Sequence, residues 1–446
     1  MKKICIIVCL INIYACSLFE SSGYDLPDEK VYVALQAFDQ VGIVDVKSGS
    51  INYIDIDYSL LACSDYSLED ECNLDENCEW MSMGGMSHCM DVADECMELN
   101  EAECNSATTC EWMSMGTMSH CMENGGMMDM GNHTPHFIEL DELNGFWFVS
   151  TISSGYIGQY GLETNELIDN IWVGDSPALL ASSKQNKKLY VSRMMPMLGM
   201  MTGSTSSIVQ EIDYSNQNLL SSNEFEINSP APHGLSINDD GDYVYTISNT
   251  ADWVYKISTS SGLIEGASLD PSVGNPSNLA TQRLKPIQCV TINDELLLIT
   301  CSAGTWYDPN AGNEQIPGQI QLWNTNSMTL LDTIQFSSYS TPWHIVSDVN
   351  TNRFYVALAG DPGKPGYSGV ACIGHENNAM ELIWENVSEE FSMLHGIDMS
   401  SDGSVIYVSG RGDDYLHVFD SNDGEKIKSI YLGMHAMSAG IKAMEK

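Results

Sequence analysis

Apolar residues at alternate positions recur in pairs of short runs around a polar turn. The pairs begin "TPHFIELDELNGFWFVS" at Thr134, "SPALLASSKQNKKLYVS" at Ser176 and "APHGLSINDDGDYVYTIS" at Ala231. "KPIQCVTINDELLLITCS" at Lys285, "TPWHIVSDVNTNRFYVAL" at Thr341 and "MLHGIDMSSDGSVIYVSG" at Met393 continue the series. A period of two is the mark of a strand with one face buried. Each pair is followed by a third run, such as "YLHVFDSNDGEKIKSIYLG", with a turn and a fourth strand inside it. Four strands recurring at a spacing of roughly 40–55 residues predict propeller blades. That makes six. Residues 30–56 hold the second to fourth strands of a seventh, and "SAGIKAM" at 438–444 has the pattern of its missing first strand. The expected fold is all-β: a seven-bladed β-propeller closed by its N- and C-terminal strands, which leaves no long free sheet edge.

"APHGLSINDDGDYVYTIS" and "HGIDMSSDGSVIYVSGRGDDYLHVFDSNDGEKIKSI" resemble the repeats of YVTN-type seven-bladed propeller proteins, which are bacterial and exported. The resemblance covers residues 30–60 and 134–446. It implies the fold more firmly than an activity, because propellers host many functions. Relatives of this type include sugar-lactone hydrolases, which would imply an acid/base cluster in the channel. The sequence itself offers no Ser-His-Asp pattern, no G-x-S-x-G and no phosphate loop. Its only arginines are Arg193, Arg283, Arg353 and Arg411, which argues against a phosphorylated substrate. The reading therefore leans away from an enzyme.

The domain division is a signal segment at 1–16, the propeller at 30–62 and 133–446, and an insert at 63–132. The segment "MKK" followed by "ICIIVCLINIYA" reads as a secretory signal, its apolar stretch too short to span a bilayer. "IYAC" resembles a bacterial lipobox ending at Cys16, and plain cleavage near Ala15 is the alternative. The expected location is the cell envelope, in the periplasm or on the outer membrane, held by a lipid at Cys16. With 61 acidic against 18 basic residues the chain carries −43, a surface that repels nucleic acid and anionic membranes and draws cations.

The insert departs from the blade pattern. "CEWMSMGGMSHCM" at Cys78 returns as "CEWMSMGTMSHCM" at Cys110. The larger units carry Cys63, Cys72, Cys78 and Cys89, then Cys96, Cys104, Cys110 and Cys121. In an exported chain this density reads as disulfides, of a connectivity that spacing does not give. A thiolate zinc site lacks any C-x-x-C pair. A tight turn at Gly84-Gly85, or at Gly116-Thr117, would fold each cassette into a hairpin. Met83 then faces Met86 and Met81 faces His88, with all four on one side of the hairpin. Met113, Met115, Met118 and His120 follow in the second copy. Thioethers with an imidazole are a soft ligand set that selects Cu(I) over hard cations. Two other readings are open: a flexible packing face, and an oxidant sink.

In a propeller the insert should emerge beside the second-to-third loop of blade three, "SRMMPMLGMMTGS", and the run "GGMMDMGNHTPH". The first strands start at the same face and line the channel. His136, His233 and His395 occupy equivalent positions there, and His344 is shifted by one. Together they are a candidate metal rim. The set resembles the histidine-ligated copper propeller of nitrous-oxide reductase, but Ala178 and Ile287 stand in blades three and five, and no cupredoxin-like cluster follows. Cys289 and Cys301, on consecutive strands, are expected to form a cross-strand disulfide, and Cys372 to be a buried thiol. Copper binding is the leading function; a protein- or ligand-binding scaffold, with a partner on the insert face, and a lactonase-like channel hydrolase are the alternatives.

Overall fold

The computed structural model describes residues 24–58, 78–83, 86–91, 110–115, 118–123, 133–174, 176–194, 207–216, 218–270, 283–308, 312–348 and 350–446. Seven four-stranded antiparallel sheets are the blades. Their innermost strands are Ser438–Glu445, Pro135–Asp141, Pro177–Ser183, Pro232–Ile237, Pro286–Asn293, Pro342–Asp348 and Leu394–Met399, for blades one to seven. Blade one takes its inner strand from the end of the chain: Glu29 pairs with Glu445 and Val33 with Ile441. The expected closure holds.

The alternation explains the core. Along each middle strand nearly every side chain is buried, because both faces are covered by neighbouring blades. Val405–Gly410, for example, has no exposed residue. Outermost strands such as Thr329–Gln335 keep one face in water.

One backbone device recurs at every blade. The residue before each inner strand is Thr134, Ser176, Ala231, Lys285, Thr341, Met393 or Met437, and each has φ between 43° and 52°. Five of the seven precede a proline. Each carbonyl accepts from the first residue after the second strand: Ile152, Met194, Asn249, Ser302, Ala359, Arg411 and Gln36, in that order. A left-handed residue without glycine is costly, and here a backbone hydrogen bond holds it every time.

The insert begins after the outermost strand of blade one, Ile51–Asp55, and ends at the inner strand of blade two. Within it Cys78–Met83 pairs with Met86–Asp91, and Cys110–Met115 with Met118–Glu123. The register sets Met81 against His88 and Met83 against Met86, then Met113 against His120 and Met115 against Met118. The two hairpins are those expected. The signal segment, Cys63, Cys72, Cys96, Cys104, the two hairpin turns, Met195–Met201, Met127, Met128 and Met130 lie outside the described residues.

One expectation fails. Cys289 and Cys301 are both free thiols, as is Cys372. A register shift between Pro286 and Gln288 sets Cys289 against Ile299, while Cys301 faces Pro286. The two cysteines are therefore diagonal neighbours, about 7–8 Å apart in such a ladder and too far for a bridge. Cys372 is buried, as anticipated. Among the described residues no helix is long and apolar enough to cross a membrane.

A candidate metal centre in the channel

His136, His233, His344 and His395 sit within the first three residues of four inner strands. Each falls in a bulge. The ladder to the second strand jumps from Pro135 to Phe137, from Pro232 to Leu235, from Pro342 to Ile345 and from Leu394 to Ile397. A bulge frees its residues from pairing and re-aims their side chains. Second-strand hydroxyls take up backbone groups left over. Ser409 Oγ accepts from the Gly396 amide at 2.9 Å and donates to the Ala439 carbonyl at 2.7 Å. Ser192 Oγ donates to the His233 carbonyl, and Thr246 Oγ1 to that of Gly234. Gly234 and Gly396 follow their histidines because a Cβ there would meet the Gln288 backbone or the Ala439 carbonyl of the adjoining inner strand.

The four imidazoles meet in the channel, all at most 6% exposed. The ring centres of His344 and His395 are 4.8 Å apart, those of His136 and His233 5.8 Å, and those of His136 and His395 6.0 Å. Every one of these contacts is edge to face. With nitrogen-to-metal bonds of about 2 Å, two imidazoles on one tetrahedral ion hold their ring centres about 5 Å apart. The His344–His395 pair has that spacing, and the two His136 pairs are wider. No three His, Cys, Asp or Glu side chains among the described residues are already convergent on one point, so the rings would have to turn to share an ion.

Three ring nitrogens in this cluster are buried without a hydrogen-bond partner: His136 Nε2, His344 Nε2 and His395 Nδ1. An unpaired buried polar atom costs about 1–3 kcal/mol, and this group gathers three. Burial pushes all four imidazoles down, and neighbouring histidines push His136, His344 and His395 further. His344 falls to about 3. The rings are neutral at physiological pH, the form in which imidazole binds metal.

Two residues that the sequence reading did not place at the channel complete the group. Gln36 Nε2 lies 2.9 Å from His136 Nδ1, and the Arg411 guanidinium donates to Gln36 Oε1. Both occupy the position whose amide bonds the left-handed residue, in blades one and seven. Aligning that column across the repeats is the signal that would have found them.

The first-strand starts, the insert's two ends and the second-to-third connections share one face of the ring, since strands alternate in direction through each blade. The insert thus emerges on the side where the histidines gather. His133, at its return, has its amide held by Asp39 Oδ1 at 2.9 Å.

The opposite mouth is charged. Lys442 Nζ is 3.9 Å from Glu139 Oε2, and Ser182 Oγ donates to Glu139 Oε1 at 2.7 Å. Asp398 joins them around a cavity of about 160 Å³, its carboxyl pushed up by burial. Elsewhere, on the outer part of blade seven, His417 bridges Asp413 at 3.2 Å and Ser429 at 2.9 Å. This Ser-His-Asp chain has no sequence signature. It ties a turn to two strands, since Asp413 also accepts from the Ser392 and Tyr415 amides.

No family model matches the chain, and no curated protein matches it. Its fold is shared with solved structures. A chain of Kuenenia stuttgartiensis hydrazine synthase superposes with a TM-score of 0.55 at 12% identity, over 73% of this chain and 99% of that one. A chain of the mitotic checkpoint complex gives a TM-score of 0.52 at 12% identity, over 89% and 85%. At such identity the likeness is one of fold alone.

Proposed function

We propose that the protein binds a transition-metal ion, copper before others, at the insert-side mouth of its propeller. The observation that carries this is the group of four buried, neutral imidazoles with three unpartnered nitrogens. Imidazole suits copper, zinc, iron and nickel, and Cu²⁺ binds most tightly in the divalent series. The insert favours copper further. The ladder pairs Met81 with His88 and Met83 with Met86, and Met113 with His120 and Met115 with Met118. Residues directly opposite share a sheet face, and two such pairs one period apart share the same face. On that register each hairpin would be a soft donor set suited to Cu(I). Disulfides among the insert cysteines would give these small units the rigidity their size denies them. Export, with a lipid at Cys16, is the setting in which such bridges and such a cargo site belong.

The test is metal content of the full chain after exposure to Cu(I) or Cu(II), with removal of loosely held ion. Replacing His344 and His395 together with alanine should abolish the tightly held channel ion. Replacing Met81, Met83, Met86 and His88 should lower Cu(I) uptake and leave the channel ion in place. Wild-type protein that retains no metal above background defeats the proposal. A second reading rests on the Lys442–Glu139–Asp398 cavity, which has the acid/base groups a channel hydrolase needs. Lactone turnover that survives loss of His344 and His395 and disappears on changing Asp398 would favour it.

A further inference from the structure

The end of the channel away from the histidines is built from three neighbouring inner strands. Asp398 stands in that of blade seven, Lys442 in that of blade one and Glu139 in that of blade two. Each carboxylate is anchored by one oxygen. Asp398 Oδ2 accepts from the Ala443 amide at 2.8 Å, and Glu139 Oε1 from the Ser182 hydroxyl at 2.7 Å. Lys442 has no such anchor. Its Nζ is 3.9 Å from Glu139 Oε2, outside hydrogen-bond distance, and it donates to no other side chain among the described residues. The ammonium is charged all the same. Burial works against it, while Asp398 and Glu139 hold it above its ordinary range. A charge taken out of water is normally paired and hydrogen-bonded, and this one is paired only.

The same lysine lines the cavity of about 160 Å³, and both signs of charge surround that space. Lys184 joins Lys442, and Glu142 joins Glu139 and Asp398. A simple anion would meet three carboxyl groups there, and a simple cation two ammonium groups. A molecule that carries both charges a short distance apart suits the whole set. A cavity of about 150 Å³ accepts benzene, so the occupant has about six non-hydrogen atoms. Phe137 stands between this end and the histidines. It comes between His136 and Glu139 in its strand, with its ring centre 5.8 Å from that of His344 and 5.9 Å from Lys442 Nζ.

We propose that this cavity is a binding site for a small zwitterionic amino acid, of the size of glycine or alanine. The ligand's carboxylate accepts from Lys442 and supplies the acceptor that the ammonium lacks. Its own ammonium donates to Glu139 Oε2 and to Asp398. Placed so, positive and negative groups alternate from Lys442 through the ligand to the two carboxylates. Asp398, whose carboxyl burial pushes up, gains a cation beside it. The inference is independent of the metal reading. It asks the Lys442–Glu139–Asp398 cavity only to bind, with no bond made or broken.

Isothermal titration of the metal-free full chain with glycine and with L-alanine is the test. Both should bind saturably. Acetate, methylammonium and glycerol should bind at least about tenfold more weakly, since each forfeits a hydrogen bond between charged groups. Lys442→Met keeps the stem and removes the donors. Glu139→Gln keeps an acceptor for Ser182 and removes the charge. Each should weaken glycine binding at least about tenfold in protein that is folded by circular dichroism. If Lys442→Met does not fold, Glu139→Gln decides. Absence of saturable binding by glycine and alanine overturns the proposal. So does acetate, methylammonium or glycerol bound as tightly as glycine, which makes the occupant a simple ion or a polyol. Glycine affinity unchanged in Glu139→Gln places the amino acid elsewhere and overturns it too. The double variant His344→Ala, His395→Ala should bind glycine as the parent does, so failure of the metal site and failure of this one are told apart.

Discussion

The ring of Tyr58 meets the ring of His133 edge-on at a centroid distance of 5.2 Å. These residues flank the whole insert, so the chain leaves the propeller and returns to it at one point. Asp39 completes the join by accepting the amides of His133 and Thr134. Joining the two ends by a short glycine-rich linker in place of residues 63–132 should therefore leave the propeller folded. The unfolding midpoint of the shortened protein should lie within a few degrees of the parent's, and the channel ion should still bind. Aggregation of the shortened chain would show that the insert is part of the ring's core.

Gly396 belongs to the inner strand of blade seven and abuts that of blade one, so an added methyl would press on the Ala439 carbonyl. Gly396→Ala should destabilise the protein by about 1–3 kcal/mol, the usual cost of overpacking. It should also weaken metal retention, because His395 occupies the same bulge. Chemical denaturation with metal analysis of the same preparation checks both.

Ser409→Ala removes a hydroxyl that serves the Gly396 amide and the Ala439 carbonyl at once. Both groups are buried, so the loss should be about 1–3 kcal/mol. The equivalent position in blade six is already Ala357, and Ala357→Gly should remove only a methyl's worth of packing. Equal losses at the two sites would mean that the hydroxyl does not clamp the bulge.

Burial pushes the Cys289 and Cys301 thiols well up, and Cys372 up to about 11. The thiolate is the reactive form. In the native protein these three should resist thiol reagents at pH 8 and react at the rate of unfolding. Fast labelling of any one of them, detected by mass spectrometry, would show that its blade opens.

Asp213 is held down at about 2, first by Lys188 and then by Ser215. A depressed carboxylate stabilises the fold above its unfolded value of about 3.9, and the contribution is lost as pH falls toward 2. The pair is partly exposed, with Asp213 27% accessible, so the effect should be under about 1 kcal/mol. Asp213→Asn should show a shallower loss of stability between pH 4 and pH 2 than the parent. An identical slope would mean that the ion pair is screened away.

The blades were legible because a period of two, repeated with proline-led openings, is a long-range signal that local turns cannot disguise. The same logic located the four histidines, which sit at nearly one repeat position. Three things were hidden. Bulges shift the ladder without changing the alternation, and so Cys289 and Cys301 were set opposite each other when they are diagonal. Gln36 and Arg411 lie just past their strands, where turn residues are read for conformation and not for chemistry. The Asp413–His417–Ser429 chain depends on pairing between strands, which spacing alone does not give.

The clasp in blade one ties the centre to completeness. Until Ser438–Glu445 docks on Glu29–Leu35, the arc of blades stays open beside the strand that carries His136. A chain cut short by even its last strand would hold nearly every residue of the centre and none of its enclosure. The enclosure around the four histidines therefore depends on Ser438–Glu445 being in place.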